Sequence, residues 1–116
     1  MVTGSPGGGR IIPYVVKTLI AVLDWRLDAQ AAAALTNFGS LGGPLEIEAP
    51  PLTIADAIWR PALGSRAIGI AIALAPIGQR PVHAVMTSGA HIILRQPDGS
   101  LEGGADPRRE GVARGD

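Results

Sequence analysis

The chain has no cysteine, a single lysine among its ten basic residues, and four aromatic residues of the Phe, Tyr and Trp types. Lack of cysteine excludes disulfides and thiolate metal sites, and it leaves the redox compartment open. Ten acidic residues balance the ten basic ones, and the basic residues form no stripe that could follow a phosphate backbone. Aromatics scattered singly offer no platform for stacking bases, so nucleic acid is not an expected partner. The longest apolar run, Ala67 to Ile77, is interrupted by Gly69 and Pro76 and falls short of the about 20 residues needed to cross a bilayer. It reads as a buried segment, with no membrane partner expected. The N-terminus lacks the charged-then-apolar pattern of a signal segment.

Glycine and proline, by contrast, are plentiful, at 16 and 10 residues. They concentrate most informatively in Thr3-Gly4-Ser5-Pro6-Gly7-Gly8-Gly9-Arg10-Ile11-Ile12, where a glycine run leads straight into an apolar pattern. Consecutive glycines open positive φ to the backbone and let a ligand approach main-chain N–H groups with no Cβ in the way. A helix starting just behind such a turn aims its unpaired N–H groups and the positive end of its dipole at the same place. That outlines an anion or oxyanion site. The plainer reading of three glycines after a proline near an N-terminus is a flexible leader, and the surrounding sequence has to decide between the two.

Downstream, Ile12, Val15, Val16, Leu19, Ile20 and Leu23 recur at helical spacing with Lys17, Asp24 and Arg26 on other faces, predicting a helix from about Ile11 to Trp25. Pro13 falls in its first turn, where the missing N–H breaks no internal bond. Asp28 is placed to cap a second helix through the alanines from Ala29 to Leu35, whose small side chains suit close packing. Leu45-Glu46-Ile47-Glu48 alternates apolar and acidic between glycine and proline breaks, as a half-exposed strand does. Glu46 and Glu48 then share one face and read as a solubilising edge, not as an acid and base pair. Thr53 to Trp59 can begin a helix capped by Thr53, but Pro61 interferes with its continuation. Val82 to Val85 and His91 to Arg95 read as short strands, with Asp98-Gly99 as a hairpin turn leading to Leu101. His83 and His91, with Asp106, lack the spacing of a metal site, and Ser88-Gly89 lacks the GxSxG pattern of a hydrolase elbow.

The glycine stretch, Val22-Leu23-Asp24-Trp25, the tail Gly103-Gly104-Ala105-Asp106-Pro107-Arg108-Arg109-Glu110-Gly111, and the hairpin residues Met86-Thr87-Ser88-Gly89-Ala90-His91 and Pro97-Asp98-Gly99 occur in this order. Together they resemble the C-terminal part of the γ-glutamyltransferase small subunit, over nearly the whole chain and least across Pro50 to Pro81. The resemblance implies an α/β, layered α+β fold: a fragment of the αββα sandwich of N-terminal nucleophile hydrolases. In that family a precursor cleaves itself, and the new N-terminal threonine attacks γ-glutamyl amides such as glutathione. The resemblance further implies that Gly7 and Gly8 give backbone N–H groups to the oxyanion hole. Gly9 stands where the family usually has serine. Asp106 and Arg108 are expected to form a structural lock with neighbouring loops.

By the same resemblance the nucleophile and the residues that grip the glutamyl α-amino and α-carboxyl groups lie upstream of the glycine motif. Thr3 matches the strand before the glycines and not the cleavage site. The chain is therefore expected to be one C-terminal segment, residues 1–116, with the nucleophile-bearing part absent. At this length it is expected to form no more than one domain, burying about two-thirds of its unfolded surface. Its implied partners are the remainder of the small subunit, the large subunit and a γ-glutamyl small molecule, with self-association of the isolated chain through open sheet edges. No cofactor or metal is implied, and the compartment is periplasmic only if the chain follows exported family members. Two other readings remain open: a cephalosporin or glutaryl acylase of the same superfamily, and a non-catalytic domain that binds a partner chain.

Overall fold

The computed structural model describes residues 1–48 and 69–115. In chain order they form β1 (Val2–Gly4), α1 (Ile11–Leu23), α2 (Ala29–Ala34), β2 (Phe38–Gly39), β3 (Glu46–Glu48), β4 (Val82–Ala84), β5 (His91–Arg95) and β6 (Leu101–Ala105). One-turn 3-10 helices lie at Gly8–Arg10 and Ala75–Ile77. The chain divides into two compact units, Met1–Leu35 with Thr87–Asp116, and Thr36–Met86. The helix start expected at Thr53 to Trp59 lies outside the described residues.

In the first unit a sheet of order β1-β5-β6 is antiparallel throughout, pairing Thr3 with Ile92 and Ile92 with Gly104. The β5–β6 hairpin turns where the sequence predicts. Gly99 takes φ +88, and the Asp98 carboxylate accepts from the Ser100 N–H at 2.9 Å and hydroxyl at 2.7 Å. These bonds hold Asp98 below the usual carboxylate range. One sheet face carries the core, made of Ala21, Ala29, Ala32, Ala33 and Ile92, with Val22, Leu27, Leu35 and Leu94 around it.

The alanines of α2 do pack closely, as expected. A Cβ added at Gly104 would lie 2.2 Å from the Ala29 carbonyl oxygen, so α2 sits directly on the β6 backbone. Asp28 caps α2 by accepting from the Ala31 N–H at 2.6 Å, and the Glu102 carboxylate accepts from the Ala29 N–H at 2.5 Å. The Gln30 side-chain amide donates to the Ala105 carbonyl at 2.9 Å and accepts from its N–H at 3.1 Å. Gln30 thereby occupies backbone groups of β6 that would otherwise offer a pairing edge.

Helix α1 forms where the periodicity places it, but its faces are not those expected. Tyr14, Lys17, Thr18 and Ala21 are the buried residues, while Ile12, Val16 and Leu23 are 73%, 45% and 56% exposed. Lys17 tolerates burial because its ammonium donates to the Leu35 carbonyl at 3.0 Å. Thr18 is satisfied by the Val15 carbonyl at 2.8 Å and by the Thr3 hydroxyl at 3.1 Å. The helix ends two residues early, at Leu23. Leu27 N–H turns back to the Ala21 carbonyl at 3.0 Å, with Arg26 at φ +57 reversing the chain.

In the second unit β3 is the central strand of order β2-β3-β4, antiparallel to β2 and parallel to β4. Glu46 and Glu48 are therefore not an exposed edge. Both are half-buried around the buried Ile47, and the Glu48 carboxylate accepts from the Asn37 N–H at 2.9 Å. The apolar run ending at Ile77 also departs from expectation. Residues 69–74 are helical and lead into the Ala75–Ile77 turn, which admits Pro76, yet Ile72 and Ile77 are 68% and 70% exposed. Apolar composition did not dictate burial there. No helix of the described residues is long and apolar enough to cross a membrane.

Candidate functional site

The glycine motif forms an ordered turn between β1 and α1. Pro6 is followed by Gly7 at φ +146 and Gly8 at φ +57, both conformations that a Cβ disfavours. The two glycines are needed for different reasons. A Cβ at Gly7 would come within 2.6 Å of Tyr14 Cε2, whereas one at Gly8 meets nothing within 4 Å. Gly7 is thus seated on the ring of Tyr14, itself 2% exposed. Gly8 faces open space. Arg10 N–H bonds the Gly7 carbonyl at 3.1 Å, closing the 3-10 turn that runs into α1, so Gly8 lies in the turn opening the helix. Amides there have no partner within the helix and lie at the positive end of its dipole.

Thr3, the threonine nearest this turn, lies in β1 opposite Ile92 with its hydroxyl against that of Thr18. Its position is that of a strand residue before the glycines, as the resemblance implies.

A buried buckle holds the turn from the other side. The Asp106 carboxylate, fully buried, accepts at Oδ1 from the Arg108 N–H and guanidinium, both at 2.9 Å. At Oδ2 it accepts from the Ser88 hydroxyl and from the Ala90 N–H at 3.2 Å. Burial alone would push this carboxyl up, but the bonds from Ser88, Arg108 and Ala90 outweigh it and hold Asp106 below the usual carboxylate range. Arg108 also donates to the Leu35 carbonyl at 2.9 Å, the same oxygen that Lys17 reaches. Arg109 donates to the carbonyls of Ser88 and Thr87, both at 3.2 Å. The lock expected at Asp106 and Arg108 is present.

What the buckle secures is the strip Ser88–Ala90, and that strip touches the glycine motif. Gly89 N–H donates to Ser5 Oγ at 3.1 Å. A Cβ at Gly89 would lie 2.9 Å from Pro6 Cγ and 3.1 Å from Arg109 Cγ. Sequence reasoning placed Ser88 in a scaffold hairpin and rejected it as a nucleophile, and it passed over Tyr14 and Gln30. Their signal lies in contacts between residues distant in sequence, which no local spacing carries.

Solved structures of similar fold define the class. A T380A mutant γ-glutamyltranspeptidase of Helicobacter pylori superposes with a TM-score of 0.60 at 26% identity over 93% of this chain. The W525D mutant γ-glutamyltranspeptidase of Pseudomonas nitroreducens gives 0.65 at 25% identity over 97%. The cephalosporin acylase of Bacillus halodurans gives 0.70 over 95% of this chain and 19% of its own, a likeness of fold at 23% identity. The fold is a fragment-sized part of the mixed helix-and-sheet architecture of the N-terminal nucleophile hydrolase superfamily. Residues 1–115 match the family described as gamma-glutamyltranspeptidase, and the chain belongs to that family of transferases and hydrolases. It covers 53% of each of the two γ-glutamyltranspeptidase chains compared. No curated protein matches it in sequence.

Proposed function

We propose that this chain is the C-terminal section of a γ-glutamyltransferase small subunit and supplies the oxyanion-hole donors Gly7 and Gly8. The observation that carries the reading is the paired geometry of these glycines: one braced on Tyr14, the next open to solvent at the mouth of α1. In the complete enzyme, a longer protein with a nucleophile-bearing segment ahead of this chain, a threonine hydroxyl attacks the γ-carbonyl of the donor amide. Its proton passes to a base, for an N-terminal threonine its own amine. The carbonyl oxygen becomes an oxyanion, which the two N–H groups stabilise. Collapse breaks the C–N bond, the amine leaves with a proton, and a γ-glutamyl ester remains for attack by an acceptor amine or water. Remaining partners in this reading are the rest of the small subunit and the large subunit, which fits a chain about half as long as its relatives.

A consequence is that the 116-residue chain alone is catalytically silent, because an oxyanion hole without an attacking group leaves little residual effect. Incubating the purified chain with a chromogenic γ-glutamyl anilide should release no anilide above background. Turnover abolished by Thr3→Ala would place the nucleophile within this chain and overturn the reading.

A further inference from the structure

The oxyanion reading leaves one question that the residues around Pro6 answer: what fixes the direction of the Gly7 N–H. That N–H belongs to the Pro6–Gly7 peptide, whose other polar end is the Pro6 carbonyl. A peptide that precedes glycine can be held in two orientations at little steric cost, because glycine accepts the negative or positive φ that either requires. Flipping the plane would reverse the carbonyl and turn the N–H away from the site.

Ser5 touches the point that decides between them. Its hydroxyl donates to the Pro6 carbonyl at 2.8 Å, and the same oxygen accepts from the Gly89 N–H at 3.1 Å. One hydroxyl thus bridges the peptide that carries the Gly7 N–H to the strip tied down by Asp106. Gly89 has to be glycine for this contact, since its missing Cβ makes room for the Pro6 ring.

We propose that Ser5 is a positioning residue of the γ-glutamyl transfer reaction, latching the Pro6–Gly7 peptide plane so that the Gly7 N–H stays aimed at the oxyanion. The inference rests on the oxyanion reading of Gly7. Ser5 touches no reacting atom, so its loss should slow the chemistry and leave ground-state binding alone.

The test is a series at position 5 in the complete, self-processed enzyme, assayed with a γ-glutamyl anilide. Ser5→Ala should lower kcat by about tenfold, the weight of one neutral hydrogen bond, with KM unchanged. Ser5→Thr, which keeps a hydroxyl, should restore most of it. If Ser5→Ala fails to process, Ser5→Cys replaces it, and the weakly donating thiol should be slower than threonine. A wild-type kcat in the alanine variant, or equal losses in the hydroxyl-bearing and hydroxyl-free variants, overturns the latch. A second arm exchanges the Gly7 amide N–H for an ester oxygen. In that background Ser5→Ala should have no further effect. Ester exchange at Gly7 without any loss of turnover sinks the oxyanion reading itself, whereas a slow ester together with a wild-type kcat for Ser5→Ala in the amide-bearing enzyme, or a further loss from Ser5→Ala in the ester enzyme, sinks only the latch.

Discussion

Alanine at Gly7 is expected to lower turnover of the complete enzyme by about a hundredfold or more, the weight of one oxyanion donor. It should also destabilise the fold by about 3 kcal/mol, from strain and overpacking together. Both effects come from one position. At φ +146 an alanine is strained by its own backbone, and its Cβ would sit 2.6 Å from the ring of the buried Tyr14. Relief requires the turn to lift off the ring, which carries the Gly7 N–H away from its place. Gly8→Ala should behave differently. At φ +57 it meets nothing within 4 Å, so it should cost about 1 kcal/mol of left-handed strain and keep its N–H in place. Denaturation midpoints and anilide turnover of both variants check this. A leader without structure predicts no effect from either, and equal effects from both would contradict the seating of Gly7 on Tyr14. Proline at Gly8 is a poor probe of the donor, because φ +57 is closed to its ring.

Asp106→Ala is the second large effect, expected to destabilise the fold by about 3 kcal/mol. The substitution leaves the Ser88 hydroxyl, the Ala90 N–H and the Arg108 donors without their acceptor. Arg108 keeps the Leu35 carbonyl and some water, with its side chain 21% exposed, which holds the loss to the lower end for a broken buried pair. The same carboxylate sets an acid limit. Its folded pKa is depressed, so its contribution is complete above the ordinary carboxylate value of about 3.9 and is lost as pH falls through the lower folded value. Stability of the wild type should therefore drop more steeply below that value than that of Asp106→Asn. Parallel acid titrations of the two, followed by denaturation midpoint, would expose the idea as wrong if they ran parallel.

How far the sequence disclosed this arrangement depended on whether the deciding contact was local. Helix α1, the Asp28 cap, the Asp98-Gly99 hairpin and the glycine turn are governed by neighbours within a few residues, and they appear where expected. The face that α1 buries is not local. Lys17 goes inside because the Leu35 carbonyl waits for its ammonium, and the Ile12–Val16–Leu23 side stays out although it is more apolar. The two-residue β2 is too short to leave a period, so β3 could not be recognised as a central strand. In the candidate site, the Asp106 and Arg108 lock was legible because a family motif carries it, and a motif of the same kind is the ground on which Gly7 and Gly8 are proposed. Tyr14 was not legible as a support, and the Ser88–Gly89 hairpin was legible as scaffold but not in the contacts it makes. Their roles follow from Gly7 lying on a ring and Ser5 lying beside Gly89, facts of packing that composition does not encode.

The measurement that bears most directly on the central claim is backbone amide-to-ester exchange at Gly8 in the complete enzyme, made by incorporating glycolic acid there. The exchange removes the N–H while leaving the turn free to hold φ +57 and the space beyond it open. Donation to the oxyanion predicts a fall in kcat of about a hundredfold with KM little changed. Wild-type turnover from the correctly folded, processed ester enzyme would contradict the assignment of Gly8 as an oxyanion donor.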